Sequence, residues 1–301
     1  MSETNATNLS VIIVSWNTRD ELRACINSIL ADDPGGMEVI VVDNASSDES
    51  PQMVRDEFPA VQVIANTENY GFGKACNQGM KVARGEFVVL INPDSEVRKG
   101  AFTALLEYGR ANPDIGIFGL KVLNCDGSLQ YSCRHFPTLQ AGIFRNTILG
   151  HFFPQNTYLT DYLMTTWDHG EPRDVDWVSG CAMVLRREFI DRVGGFDERF
   201  FMYCEDVDLG YRAHENGWRV TYFPYAVVVH ARAKSSDKNA NPMIIEFHKS
   251  MYYFFKKHYL KNTSLFVRAI VPIGLIARAG FFVLRNDFYA TRNAVRAMFR
   301  R

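Results

Sequence analysis

From Lys249 onward the chain has one acidic residue, Asp287, against 11 lysines and arginines, whereas residues 1–248 carry 33 acids and 22 bases. The formal net charge of -1 therefore hides an acidic body with a basic tail, and such a tail is expected to meet something anionic. It contains no nucleic-acid module, and its cations are interleaved with long apolar stretches. The expected partner is an anionic membrane surface, with no nucleic acid. None of the six cysteines (Cys25, Cys76, Cys125, Cys133, Cys181, Cys204) forms a C-x-x-C pair, which speaks against zinc or redox motifs and for buried thiols in a reducing compartment. The opening MSETNATN lacks the basic start and apolar core of a secretory signal, giving an expected cytoplasmic location. Internal repeats are also missing, and 301 residues at 47% hydrophobic content suffice for a substantial core.

What is present is a regular alternation of strand and helix signals. LSVIIV (9–14) is an apolar, β-branched run of the kind buried on both faces of a parallel sheet, and EVIVV (38–42), VQVIA (61–65) and EFVVLI (86–91) read as the second, third and fourth strands. Between them, Thr18 with Glu21 and Ser46 with Glu49 read as capping boxes, and a helix over Lys74–Arg84 stops at Gly85. The series predicts a doubly wound, mainly parallel α/β sheet. Residues from about 115 to 231 read as α+β material completing the same domain, and 231–242 as a polar loop with the length of a lid.

Ligands of such sheets bind at the carboxyl ends of the strands. The first strand is followed by Ser15, Trp16 and Asn17, and the second by Asp43 and Asn44. The third leads to a loop containing Asn69, Gly71 and Lys74, and the fourth to Asn92 and Asp94. Asp94 suits a hard divalent cation, although NPDS is also a plain turn sequence. Asp43 suits a base imino group or a ribose hydroxyl. Gly71 and Gly73 resemble the start of a dinucleotide fingerprint, but Cys76 stands where its third glycine should be and the segment follows the wrong strand. In FMYCEDVDLGYRAHENGW, Glu205, Asp206 and Asp208 crowd a helix start behind an apolar run, where an ionised general base fits. His230 ends the run AVVVH and is either a metal ligand or a strand-end histidine. Trp177, Ser179 and Gly180, in DVDWVSG, offer an aromatic platform and a small-residue loop for a sugar, or Trp177 is core.

Together SVIIVSWN, VIVVDNASSD, NYGFGKACNQG, LINPDSEV, WVSGCAMVLRR, GGFDERFFMYCEDVDLGYR and His230 resemble family 2 glycosyltransferases of GT-A fold, especially the rhamnosyltransferase-like branch, over about residues 8–232. The resemblance implies inverting transfer from a dTDP- or UDP-sugar, with L-rhamnose from dTDP-rhamnose the leading donor, dependent on Mg2+ or Mn2+. Asp43 would contact the base, Asp94 and His230 the metal and diphosphate, and Asp206, beside Glu205, would be the base that activates the acceptor. Asn92 departs from the pattern, since it replaces the first acid of the DxD-type motif.

The expected organisation is a GT-A domain over 8–248, with a nucleotide-sugar half (8–114) and an acceptor half (115–248), followed by a basic helical tail over 249–301. The acceptor would be a glycan or lipid-linked saccharide of the cell envelope, and the enzyme peripheral on the inner face of the membrane; a homodimer is allowed. The apolar stretch 265–284 has the length of a bilayer span, but Arg268, Pro272 and Arg278 favour an interfacial helix or hairpin over a span, with a packed soluble helix between them. Two other functional classes are a nucleotidyltransferase, which would need a glycine-rich phosphate loop after the first strand, and a non-catalytic sugar-binding protein.

Overall fold

The computed structural model describes residues 7–145, 148–231 and 240–298. They form two compact units, one of residues 1–197 and 206–232, the other of 198–205 and 233–301. The boundary lies ahead of residue 248, so the helix over 240–254 falls with the tail.

The first unit opens with β1 (Leu9–Ser15), α1 (Arg19–Leu30), β2 (Met37–Asp43), α2 (Ser50–Glu57), β3 (Gln62–Ala65), α3 (Phe72–Val82) and β4 (Phe87–Ile91). A short β5 (Ser95–Val97), α4 (Ala101–Ala111), β6 (Ile115–Leu123), β7 (Leu129–Gln130) and β8 (Cys133–Arg134) follow. Three short helices, α5 (Leu139–Phe144), α6 (Ile148–Phe152) and α7 (Thr157–Tyr162), then lead to β9 (Arg173–Asp174), β10 (Trp177–Val178), β11 (Ala182–Arg186), α8 (Arg187–Val193), α9 (Glu205–Glu215) and β12 (Arg219–His230).

The main sheet runs β3-β2-β1-β4-β11-β6-β12-β5. β1 is parallel to β2 and β4, and β2 to β3, as the alternation predicts. β11 inserts antiparallel between β4 and β6, with Ala182 opposite Ile91. β12 runs as one strand parallel to β6 through a bulge between Phe223 and Val227. These directions bring the ends of β1, β2, β4 and β12 and the start of β11 to one edge.

Alternation along β1 explains its largely apolar sequence. Leu9, Val11 and Ile13 pack with Leu22, Ile26 and Ile29 of α1 on one face, while Ile12 packs with Ala75, Cys76 and Met80 of α3 on the other. α3 lies so close to β1 that a Cβ added at Gly79 would sit 2.7 Å from Ile12 Cγ2.

The predicted capping boxes do not form. The Thr18 hydroxyl is 3.0 Å from Ser15 Oγ, and Ser46 Oγ accepts from Asn17 N at 2.9 Å. α2 starts later than expected, after Glu49 in a left-handed conformation (φ 63). Asp48 holds both helix starts: Oδ2 accepts from Arg19 N at 2.9 Å and Oδ1 from Ser50 N at 3.1 Å. A capping carboxylate of this kind contributes about 1 kcal/mol.

In the second unit, α10 (Ala240–Phe254) passes through a π-helical turn at Phe255–Tyr259 and a 3-10 turn at Leu260–Asn262 into α11 (Leu265–Met298). Asn241 bonds Asp287 and Asn286 at 2.7 Å each, and Arg278 reaches Met251 Sδ at 3.7 Å, which makes α10 and α11 an antiparallel hairpin. The segment before α9 packs on α10, with the Phe200 and Tyr253 rings 4.7 Å apart and Ser250 Oγ donating to Met202 O at 2.8 Å. Leu265–Tyr289 is long and apolar enough to cross a membrane, yet only 6% of its most apolar window is buried. That exposure disfavours the packed soluble helix. The lid expected over 231–242 lies mostly outside the described residues.

Candidate active site

Asn92, Asp94 and His230 meet at the end of β4. Asp94 directly precedes β5, and the antiparallel pairing of β5 with β12 sets Ser95 opposite His230. His230 Nε2 thereby comes 3.1 Å from Asp94 Oδ1 and 3.2 Å from Asn92 Nδ2. Its Nδ1 lies 2.8 Å from Gln130 Oε1 of β7. An amide nitrogen only donates and an amide oxygen only accepts, so the tautomer protonated on Nδ1 satisfies both contacts. Nε2 then accepts from Asn92 Nδ2 and sits beside a carboxylate oxygen with no proton between the two, an arrangement in which a cation would take the place of the amide donor.

The 3.1 Å spacing is close to one edge of an octahedron of ligands at about 2.1 Å from a cation. Among the described residues no three or more His, Cys, Asp or Glu side chains gather as a metal site. The chain thus offers Asp94 and His230, a set that fits a divalent cation completed by substrate oxygens and water. Asn92 contributes a donor to His230 where a second carboxylate would otherwise stand.

Asn17, Asp43 and the third loop form the neighbouring part. The φ of 54 at Asn17 lets its backbone N–H and side chain bridge to the second loop, since Ser47 N donates to Asn17 Oδ1 at 2.7 Å. Asp43 is buried, and its Oδ2 accepts from Ser46 N at 2.9 Å. Its Oδ1 is also buried but has no partner among the described residues. Burial pushes the Asp43 carboxyl above its ordinary value, with the Asp48 charge adding to the rise. An acceptor left waiting at a strand end is what an imino or hydroxyl donor of a ligand would satisfy.

Asn44 Nδ2 donates to Gly71 O at 3.0 Å, and Asn69 Oδ1 accepts from Gly71 N at 2.9 Å. Gly71 has a φ of 80, which an L side chain adopts with strain. The Lys74 ammonium rests 4.0 Å from the Tyr70 ring centroid. The Ser15 hydroxyl faces inward to Thr18.

Asp206 stands at the first turn of α9. Its Oδ1 accepts from Val207 N at 2.9 Å and its Oδ2 from Gly180 N at 3.3 Å. Gly180 is bare of a side chain because a Cβ would meet the Phe72 ring at 2.8 Å. Burial raises the Asp206 carboxyl above its usual range, while the backbone donors of Val207 and Gly180 and the charge of Arg134 oppose the rise. Glu205 is only 5% exposed, whereas Asp206 keeps part of its surface open, so Asp206 is the acid that a substrate can reach. Asp208 is fully buried and paired with Arg212 at 2.9 Å, and Arg212 in turn holds Val193 O and Gly195 O; these two are structural.

Cys181 links the two halves of the site. Its O accepts from Asn92 N at 3.1 Å, and both Asp206 and Asp94 act on its thiol, which burial pushes up to about 11. Ser179 N donates to Ser132 O at 2.7 Å, fixing the loop that carries Gly180. Trp177 corrects its expected role as a sugar platform: it is 4% exposed, and its indole N–H donates to His135 O at 2.9 Å. Gln130 and Arg134 belong to the surroundings of the site without any sequence signal. Both lie on two-residue strands, too short for a periodic pattern, and reach the site through pairing that only the fold reveals.

The sequence profile of "Glycosyl transferase family 2" matches residues 10–193. The chain is 34% identical over 257 residues to N-acetylglucosaminyl-diphospho-decaprenol L-rhamnosyltransferase of Mycobacterium tuberculosis, covering 82% of this chain and 83% of that protein. It is 28% identical over 232 residues to rhamnosyltransferase WbbL of Escherichia coli, covering 73% and 82%. Mannosyltransferase PcManGT from Pyrobaculum calidifontis, solved with GDP-Man and Mn2+, superposes with a TM-score of 0.57 at 19% identity over 96% of this chain and 80% of its own, which is a likeness of fold. The chain belongs to glycosyl transferase family 2, with the GT-A fold, and is a glycosyltransferase.

Proposed function

We propose that this enzyme transfers L-rhamnose, with inversion, from dTDP-rhamnose to a hydroxyl of a lipid-linked saccharide in cell-envelope polysaccharide synthesis. The observation that carries the reading is the contact of Asp94 Oδ1 with His230 Nε2 at 3.1 Å, at the sheet edge that also bears Asp206. Asp94 and His230 would hold Mg2+ or Mn2+, whose chemistry is to neutralise the charge of the departing diphosphate. The free oxygen of Asp43 accepts the imino N–H of the base. Asp206 takes the proton of the acceptor hydroxyl as that oxygen bonds to the anomeric carbon. The bond from that carbon to the diphosphate breaks on the opposite face, so the sugar inverts and nucleoside diphosphate leaves. The rhamnosyl assignment is supported by the names of the two relatives.

The exposed apolar residues of α11, among them Phe266, Ile273, Ile276 and Leu284, together with the basic excess of the tail, support a peripheral place on the inner face of the membrane. A panel of nucleotide sugars with Mg2+ or Mn2+ tests the reading: one of them should raise the melting temperature and be consumed when acceptor is added. A chain unmoved by every nucleotide sugar is not such a transferase. Removing residues 263–301 should release the protein from anionic vesicles, and unchanged sedimentation would remove the membrane assignment.

A further inference from the structure

Arg134 is a cation without a carboxylate. Among the described residues it forms no ion pair, its Nε is buried without a hydrogen-bond partner, and its NH2 group reaches only Tyr131 O at 3.2 Å. The guanidinium lies 5.0 Å from the ring centroid of Trp177, its neighbour across the β8–β10 pair. β10 continues into Ser179 and Gly180, whose N–H bonds Asp206. The pairing therefore places Arg134 beside the base, and the field of each group acts on the other.

A second guanidinium stands close by. Arg145, just after α5, donates to the Tyr162 hydroxyl at 2.8 Å and stacks 5.3 Å from its ring centroid; His135 N, next to Arg134, bonds Tyr162 O at 3.1 Å. Arg145 and Arg134 repel each other across this spot, and burial and that repulsion both push Arg134 down. Two like charges kept together in a partly dry place, one with an unused donor, are the complement of an anion. The excursion that bears Arg145 also exposes apolar groups: Ile143 is 54%, Phe152 71% and Phe153 58% exposed. The chemistry that matches both features is a phosphate joined to an apolar chain.

We propose that Arg134, assisted by Arg145, binds the phosphate group of a lipid-diphosphate acceptor and so seats the sugar hydroxyl against Asp206. This rests on the proposed transfer to a lipid-linked saccharide and goes beyond it by naming what the enzyme reads. The donor also carries a diphosphate, and the two sources are separable.

The test compares two acceptors bearing the same sugar, N-acetylglucosamine: one linked to a short alkyl chain through a diphosphate, the other the neutral alkyl glycoside. Arg134→Gln should lower the ratio of kcat/KM for the diphosphate acceptor to that for the glycoside by roughly ten- to a hundredfold, the worth of a hydrogen bond to a charged group. Arg134→Lys should recover part of the ratio, and Arg145→Gln should shift it in the same direction but less. Equal losses on both acceptors would overturn the proposal, assigning Arg134 to the donor diphosphate; so would an acid limb of the pH–rate profile that moves while the ratio stays fixed, which would make it a positioning residue for Asp206. If the wild type transfers sugar to neither acceptor, the proposed function fails, and titration calorimetry with an alkyl diphosphate decides the anion site separately. Weaker binding by Arg134→Gln than by Arg134→Lys supports the site, and equal binding by both and by the wild type overturns it. Thermal melts of each variant show whether the fold is kept.

Discussion

Replacing Asp43 by Asn should separate binding from stability. The side chain is isosteric, so its oxygen can still accept from Ser46 N, the contact that Oδ2 makes at 2.9 Å. The amide NH2 then takes the place of Oδ1, the buried oxygen without a partner, and turns a donor toward a base that also presents a donor. The loss of one charge-assisted hydrogen bond is about 1.5–3 kcal/mol, which weakens nucleotide binding roughly ten- to a hundredfold. Stability should move the other way. Burial raises the Asp43 carboxyl, so the folded chain holds its proton more tightly than the unfolded chain does. That preference favours folding below the ordinary carboxylate value and is lost as pH rises through the raised one. At neutral pH the native carboxylate is therefore a cost, which Asn removes. Calorimetric titration with the nucleoside diphosphate and Mg2+, beside a thermal melt of the free protein, should show weaker binding at an equal or higher melting temperature. A variant that melts lower and binds as tightly as wild type would make Asp43 a turn residue and refute the reasoning.

Asp206→Asn should lower kcat by roughly 10²–10⁴-fold while nucleotide sugar still raises the melting temperature. In the wild type the acid limb of the kcat profile should lie above the ordinary carboxylate range, because the base must ionise and its burial opposes that; a limb at or below that range would contradict the burial. Chelation, or Asp94→Asn, should abolish the metal-dependent stabilisation by nucleotide, which is about 2.7 kcal/mol at a hundredfold excess over Kd; re-addition of Mn2+ should restore it only in the wild type. Gly79→Ala puts a methyl 2.7 Å from Ile12 Cγ2 and should cost about 1–3 kcal/mol of stability, read as a lower denaturant midpoint with an unchanged nucleotide Kd.

β1, β2 and β4 were legible because they are buried on both faces and so are written as largely apolar runs; burial leaves no polar residue to interrupt Val39–Val42 or Phe87–Ile91, whereas β3, at the end of the sheet, has Gln62 and Ala65 exposed. The sheet edge followed from strand direction, which is why Asp43 and Asp94 could be named from position. Pairing was not legible. Nothing in AMVLR says that it inserts antiparallel beside β4, because a strand with neighbours on both sides has the same composition in either direction. Local caps also misled, since Ser46 serves the first loop and not the helix that follows it, while Asp48, outside either predicted box, holds the starts of both helices. Trp177 was ambiguous in sequence for a simple reason: an indole that stacks on a sugar and one that covers a core are the same residue, and only its exposure tells them apart.

The pairing of β5 with β12 joins residues 95–97 to 228–230, a closure across more than a hundred positions of chain. Contacts so distant in sequence carry a large loop-closure cost before they return any energy, which places them late in assembly. During synthesis β1 to β4, with Asp43, are complete well before His230 leaves the ribosome. On the roles proposed for Asp43, Asp94 and His230, the chain would shape the place for a base long before it could grip a diphosphate, and a molecule arrested between those stages would have an address for the nucleotide but no chemistry. A donor held, as proposed, by Asp94 and His230 would straddle the final seam, so its occupancy should slow the opening of that seam, making substrate a determinant of how long the folded enzyme lasts.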